Sequence, residues 1–215
     1  MNMQQAMGSA LLALGPALAL AAPAQAAGYI LGDSHGQPIA QLSHLNDLSR
    51  ISVHIRGPHA LEQFAKTPPH STVFLVLGTN DANGSIARLE KSIDDIVRIA
   101  EKKNIALVWL GPPCVRKPWD TRARELDVIL RERLAGTSAR YVSMRDAELC
   151  SGSFHEPDGV HLKMKGYAFM WEKARVAAGM PAPEPQTAQG SGARPEQTSA
   201  VNRVTVRIPL PPRRP

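Results

Sequence analysis

The stretch YILGDSHG, Tyr29–Gly36, is where the reading of the chain begins. Three apolar residues, Tyr29, Ile30 and Leu31, run into Gly32-Asp33-Ser34-His35-Gly36. A short apolar run closed by a glycine-bracketed polar turn is the pattern of a buried strand giving way to a helix. The next segment agrees. QPIAQLSHLNDLSR, residues 37–50, sets Ile39, Leu42, Leu45 and Leu48 at helical spacing, as a helix packed on a sheet requires. In that setting Ser34 has two readings: a nucleophile presented at a strand end, or the N-cap of the helix that follows.

Working outward, the same alternation repeats. ISVHI, residues 51–55, is rich in β-branched residues and reads as a second strand, stopped by Gly57-Pro58. ALEQFAK is a short helix or turn. STVFLVLG, residues 71–78, is a continuous apolar run, which suits a parallel strand buried on both faces. After the loop TNDANG, residues 85–104 place Ile86, Leu89, Ile93, Ile96, Val97 and Ala100 on one helical face. IALVWLG, 105–111, is the next buried strand, and PPCVRKPWD is a proline-held loop. An amphipathic helix over 121–136 stops at Gly136, ARYVSM (139–144) is a weaker strand, and 145–162 is a long polar loop. A last helix covers 163–179. Strands alternating with helices predict a three-layer α/β/α sandwich around a mostly parallel, flavodoxin-like five-stranded sheet. Ligands then belong beyond the carboxyl ends of the strands.

The ends of the chain read differently. SALLALGPALALAA, residues 9–22, followed by Ala24-Gln25-Ala26, has the form of a secretory signal peptide over 1–26, although MNMQQAMG carries no Lys or Arg. The run is short for a membrane span, so no stable span is expected after cleavage, and the protein is expected to be periplasmic or secreted. The domain then runs over 27–179. Residues 180–215, rich in Pro, Gly, Gln and Ala and ending in Pro-Pro-Arg-Arg-Pro, read as a disordered basic tail, either inert or suited to an anionic surface. The formal charge is +6, but the basic residues are scattered and aromatics make up only 5%. That speaks against a nucleic-acid partner and leaves a mildly basic surface. Of the two cysteines, Cys114 and Cys150, export permits a bridge, and two free thiols fit the sequence as well. Neither sits in a zinc-binding pattern.

Chemistry is sought just past each strand. GDSHG, Gly57, GTND and, before the last helix, DGVH all stand at such places. A serine hydroxyl needs a base to become a nucleophile at neutral pH. His161 suits that role, and Asp158, three residues earlier across a turn at Gly159, suits the imidazole's other N–H. The N–H groups of Ser34 and Gly57 and the Asn80 amide can meet a developing oxyanion. Each residue alone has a plain alternative: Asn80 and Asp81 as turn or capping residues, Gly57 as punctuation, Asp158-Gly159 as a turn. Together they form a pattern.

That pattern resembles the SGNH (GDSL-like) hydrolase superfamily over roughly residues 28–178. GDSHG resembles its first block, Gly57 its second, GTND its third and DGVHL its fifth. The resemblance implies a serine esterase with catalytic Ser34, His161 and Asp158, and an oxyanion hole of Ser34, Gly57 and Asn80. Asp33, His35, Gly78 and Asp81 support the site, and neither metal nor organic cofactor is needed. Two departures stand out. His35 replaces the usual leucine and is expected to be structural, and the second block is bare. GPPC, 111–114, resembles the turn after the fourth strand beside the cleft, so a Cys114–Cys150 bridge would pin the loop carrying His161. Trp119 and Arg116 are candidate substrate contacts. With no long apolar lid in sight, a small-molecule or polysaccharide ester is expected, with an O-acetyl group on an envelope carbohydrate as the leading case. The rivals are a lysophospholipase or acyl-thioesterase, and an inactive envelope-binding module on the same fold. GDSHG lacks the lysine and glycine spacing of a nucleotide-binding loop.

Overall fold

The computed structural model describes residues 26–182. The signal-peptide reading of 1–26 and the tail reading of 180–215 fall almost wholly outside them. The elements follow in the order β1 (Gly28–Gly32), α1 (Gly36–Ser43), β2 (Asn46–Asp47), α2 (Pro58–Lys66), β3 (Thr72–Val76) and α3 (Thr79–Asn83). Then come α4 (Glu90–Lys102), β4 (Ala106–Leu110), α5 (Asp120–Leu134), β5 (Arg140–Val142), α6 (Ala147–Cys150) and α7 (Met164–Ala177). Among the described residues no helix is long and apolar enough to cross a membrane.

The five strands form one parallel sheet in the order β2-β1-β3-β4-β5. This is the flavodoxin-like arrangement expected from the alternation. The apolar runs of β3 and β4 are continuous because both faces of the sheet are covered. Leu31, Val73, Leu75, Leu107 and Trp109 face one side, against Ala60 and Phe64 of α2, Ile93 and Ile96 of α4, and Leu126 and Leu130 of α5. Ile30, Phe74, Val76, Val108 and Leu110 face the other, against Ile39 of α1 and Met170 and Ala174 of α7. Alternate strand residues therefore feed two separate cores.

The order reverses between β1 and β3. Strand order of this kind opens a crevice beyond the carboxyl ends of those two strands. Ser34 follows β1 and Asn80 follows β3, so both arrive at that crevice.

One expected strand is absent. Residues 51–55 are irregular, and the second strand is the two-residue edge pair Asn46–Asp47, which aligns with Tyr29 and Ile30. The helix expected over 37–50 ends at Ser43, where His44 takes a left-handed conformation (φ 57°). The chain thus reaches the sheet edge early. Part of the burial signal in 51–55 was real, since Val53 and Ile55 enter the core, but Ile51, which alternation would put on the same face, is 70% exposed. Alternation records which side chains are buried. It does not say where the backbone hydrogen bonds go. Here they go to side chains, as described below. Similarly, the helix expected from 85 begins at Glu90, after Arg88 turns at φ 58°. Ile86 and Leu89 still pack on the core from outside the helix.

Candidate active site

The turn that carries Ser34 is held on several sides. Asp33 N–H donates to Val76 O at 2.9 Å, extending the β1–β3 ladder one residue past the strand. The buried Gln63 amide on α2 clamps Gly32 both ways: Gly32 N–H donates to Oε1 (2.8 Å) and Nε2 donates to Gly32 O (3.0 Å). Gly32 must be glycine. Its φ is 119°, and a Cβ there would lie 1.8 Å from Val76 O. Asp33 is buried, accepts from His35 N–H (3.0 Å), and its second oxygen has no partner among the described residues. Burial pushes its carboxyl up to about 7.

Ser34 Oγ lies 3.0 Å from His161 Nε2, although 127 residues separate them. His161 Nδ1 lies 2.6 Å from Asp158 Oδ2. Asp158 Oδ1 accepts the backbone N–H groups of Val160 and His161, both at 2.9 Å. Burial works against the Asp158 charge, but the His161 side chain and these two amides outweigh it and hold the carboxyl at about 2. An ionised Asp158 accepts from Nδ1–H. That leaves Nε2 unprotonated and able to accept the Ser34 hydroxyl proton.

The backbone N–H groups of Ser34 and Gly57 make no hydrogen bond to other described residues. Asn80 Nδ2 donates one proton to Val53 O at 2.9 Å, and an amide nitrogen has a second to give. The neighbouring Asp81 accepts from Ile55 N–H at 2.9 Å. Burial raises the Asp81 carboxyl, against the amides of Ile55 and Arg56 and nearby His54. The backbone groups of 53–55 that no strand satisfies are therefore taken by Asn80 and Asp81. This pair fixes the loop that ends at Gly57. Gly57 sits at φ 117°, a conformation that favours glycine, with open space around its α-carbon. Gly78 precedes the pair as the N-cap of α3.

The Asp158–His161 loop is secured by cross-links. Cys114 and Cys150 are joined in a disulfide with their α-carbons 5.1 Å apart. His155 Nε2 lies 2.7 Å from Cys114 O, Arg116 N–H donates to Gly159 O, and Glu156 N–H donates to His161 O at 2.8 Å. His155 and Leu162 form a short antiparallel bridge that closes the loop at its base.

His35 is buried, and its ring stacks on that of His161 with centroids 5.1 Å apart. Its Nδ1 lies 3.1 Å from the Tyr167 hydroxyl, which also accepts Leu162 N–H at 3.3 Å. The ring's Nε2 has no partner among the described residues. Burial, with His161 next in weight, lowers the His35 imidazole to about 3, so it stays neutral behind the His161 ring.

Trp119 and Arg116 do not line the cavity beside Ser34. Trp119 packs against the apolar core at the start of α5, and Arg116 acts through its backbone while its side chain lies over Gly152 and Gly159. Two residues that position the site escaped the sequence reading. Gln63 is a polar residue inside the Ala60–Phe64 stripe, which signals a buried amide with fixed partners. Tyr167 lies 132 residues from His35, with no local signal linking them.

No family model matches the chain, and no curated protein sequence matches it. Solved structures do. A member of the lipolytic G-D-S-L family from Veillonella parvula superposes with a TM-score of 0.56 at 16% identity, covering 69% of this chain and 96% of that one. An extracellular lipase from Streptomyces rimosus gives 0.53 at 16% identity, covering 71% and 100%. A catalytic mutant of an acetylxylan esterase from Geobacillus stearothermophilus gives 0.51 at 10% identity, covering 73% and 95%. At such identities the likeness is one of fold.

Proposed function

We propose that this chain is a serine ester hydrolase of the SGNH type. The observation that carries the proposal is the relay from Ser34 Oγ through His161 to Asp158, at 3.0 and 2.6 Å, at the β1/β3 crevice. The shared fold with lipolytic and esterase structures supports it. Ser34 Oγ attacks the acyl carbonyl as its proton passes to His161 Nε2. The oxyanion is met by the N–H groups of Ser34 and Gly57 and the second N–H of Asn80. As the intermediate collapses, His161 returns the proton to the leaving alcohol oxygen, and the acyl group stays on Ser34. Water then attacks, with His161 taking its proton, and His161 passes that proton to Ser34 Oγ as the acid departs. Asp158 holds the tautomer and stabilises the imidazolium without taking the proton.

The substrate read here is a small acyl ester, such as an O-acetyl group on a carbohydrate or envelope polymer. The cavity beside Ser34 mixes Gln37, Gln41 and Glu156 with Pro38, Ile51 and Met164, which suits a polar carrier better than a long acyl chain. The Cys114–Cys150 bridge supports a periplasmic or secreted location, since disulfides persist in oxidising compartments. A fluorophosphonate probe and a p-nitrophenyl ester series from acetate to palmitate test the proposal. Expected are labelling that is lost in Ser34→Ala and turnover that is highest for the short esters. An unlabelled wild type would end the hydrolase reading, and a palmitate optimum would end the small-acyl one.

A further inference from the structure

A cavity of about 500 Å³ opens beside the nucleophile, between α1 and the start of α7. Ser34 and His161 line it, but Gly57 and Asn80 do not. That asymmetry identifies which part of an ester it holds. The carbonyl oxygen must turn toward the oxyanion donors, away from this cavity. The leaving oxygen must lie within reach of His161, which protonates it. The cavity on the His161 side is therefore where the alcohol part goes.

Its lining has a definite chemistry. Gln37 and Gln41 lie one helical turn apart on α1, both exposed. Glu156 comes from the loop that carries the base. None of these three side chains forms a hydrogen bond or ion pair with another described residue. Ile51 and Met164, two of the few large apolar side chains left exposed (70% and 44%), stand in the same lining. Among the described residues the lining holds one carboxylate and no Lys or Arg. Two uncommitted amides beside small apolar surfaces match a ring that carries hydroxyls on its edge and C–H groups on its face. A carboxylate without a cation repels phosphate or a second carboxylate.

We infer that this cavity is the alcohol-side subsite, that it takes an uncharged polyhydroxylated carrier, and that Glu156 discriminates against anionic carriers of the same acyl group. The inference rests on the serine-hydrolase reading above and names the substrate class for that site. It sets acetylated neutral sugars above acetylated uronates, sugar phosphates and phosphate-bearing thioesters.

The test uses the full chain and two matched substrates, an O-acetylated neutral glucoside and the same ester on a glucuronide. The quantity read is the ratio of their kcat/KM values, neutral over anionic. The wild type is expected to favour the neutral ester, and the ratio should fall toward one as salt rises, because screening weakens the repulsion. Glu156→Gln should cut the ratio by about five-fold, and Glu156→Lys should invert it. Gln37→Ala with Gln41→Ala should raise KM for both sugars. Melting temperature checks that each variant folds. A ratio indifferent to salt and to both Glu156 variants, in a protein that still hydrolyses the neutral ester, would overturn the subsite while sparing the hydrolase reading. Absence of turnover together with absence of Ser34 labelling would instead remove the hydrolase reading, and the subsite with it.

Discussion

The two halves of the candidate site are held in different ways. Ser34 and Asn80 stand directly on strand ends, and the sheet reaches them through Asp33 N–H on Val76 O and the Gln63 clamp on Gly32. Asp158 and His161 stand on a half-exposed loop with no strand beneath it. Their position comes from the disulfide, the His155 and Arg116 contacts, and the His35 ring behind the base. The nucleophile side inherits the rigidity of the fold. The base side depends on a few cross-links that can be removed singly. In such a site, changes to the Asp158 or His161 side chains should alter turnover with little loss of fold, whereas changes beneath the nucleophile, or loss of the bridge, should cost both.

Asp158→Asn tests this most severely. Its amide cannot replace the carboxylate that orients His161, and kcat should fall by about 10⁴ with the melting temperature nearly unchanged, read by ester hydrolysis beside a thermal melt. An undiminished kcat would remove the relay from the mechanism. Asn80→Ala comes next. Loss of one oxyanion donor should lower kcat by about 10²–10³. Because Asn80 also holds Val53 O, a loss of stability should accompany it, in contrast to Asp158→Asn. Reducing the Cys114–Cys150 bridge, which closes a loop of 36 residues in sequence separation, should cost about 3–4 kcal/mol of stability and lower turnover. Equal Tm and kcat before and after reduction would show that the base loop does not need its bridge. Gln63→Leu strips Gly32 N–H of its partner and leaves Gly32 O only Arg50 N–H, and should cost about 1–3 kcal/mol in a denaturant titration, with activity falling in parallel.

Asp33 gives the smallest and most specific effect. Its carboxyl is raised to about 7 in the folded protein, from 3.8. The folded state therefore binds this proton more tightly than the unfolded state does, and the Asp33 contribution to stability declines as pH rises from about 4 to about 7. Asp33→Asn should consequently be more favourable to stability, relative to the wild type, at pH 8 than at pH 4.5. A difference of the opposite sign would mean that the unpartnered oxygen is satisfied in solution.

Some of these residues were legible in the chain. GDSHG, GTND and DGVH announced themselves because each couples a turn to a chemical group within a few residues. The apolar runs at 71–78 and 105–111 suited strands covered on both faces, and β3 and β4 are such strands. Residues 51–55 were misread because Val53 and Ile55 are truly buried, and burial alternates in a strand and in this loop alike. The deciding fact was the identity of the hydrogen-bond partner, Asn80 and Asp81, some 26 residues away. Trp119, a candidate substrate contact, packs against the core while partly buried and does not line the cavity beside Ser34.

The sequence alone determined the layers, the alternation of strand and helix, and which side chains are candidates for chemistry, because periodicity and turn chemistry are properties of neighbouring residues. Only the tertiary structure decided that an imidazole at 35 stacks on one at 161, that Gln63 clamps Gly32, and that Gln37, Gln41 and Glu156 share a cavity. Those facts depend on distances between residues far apart in the chain, and such distances exist only once the sheet has closed its two cores.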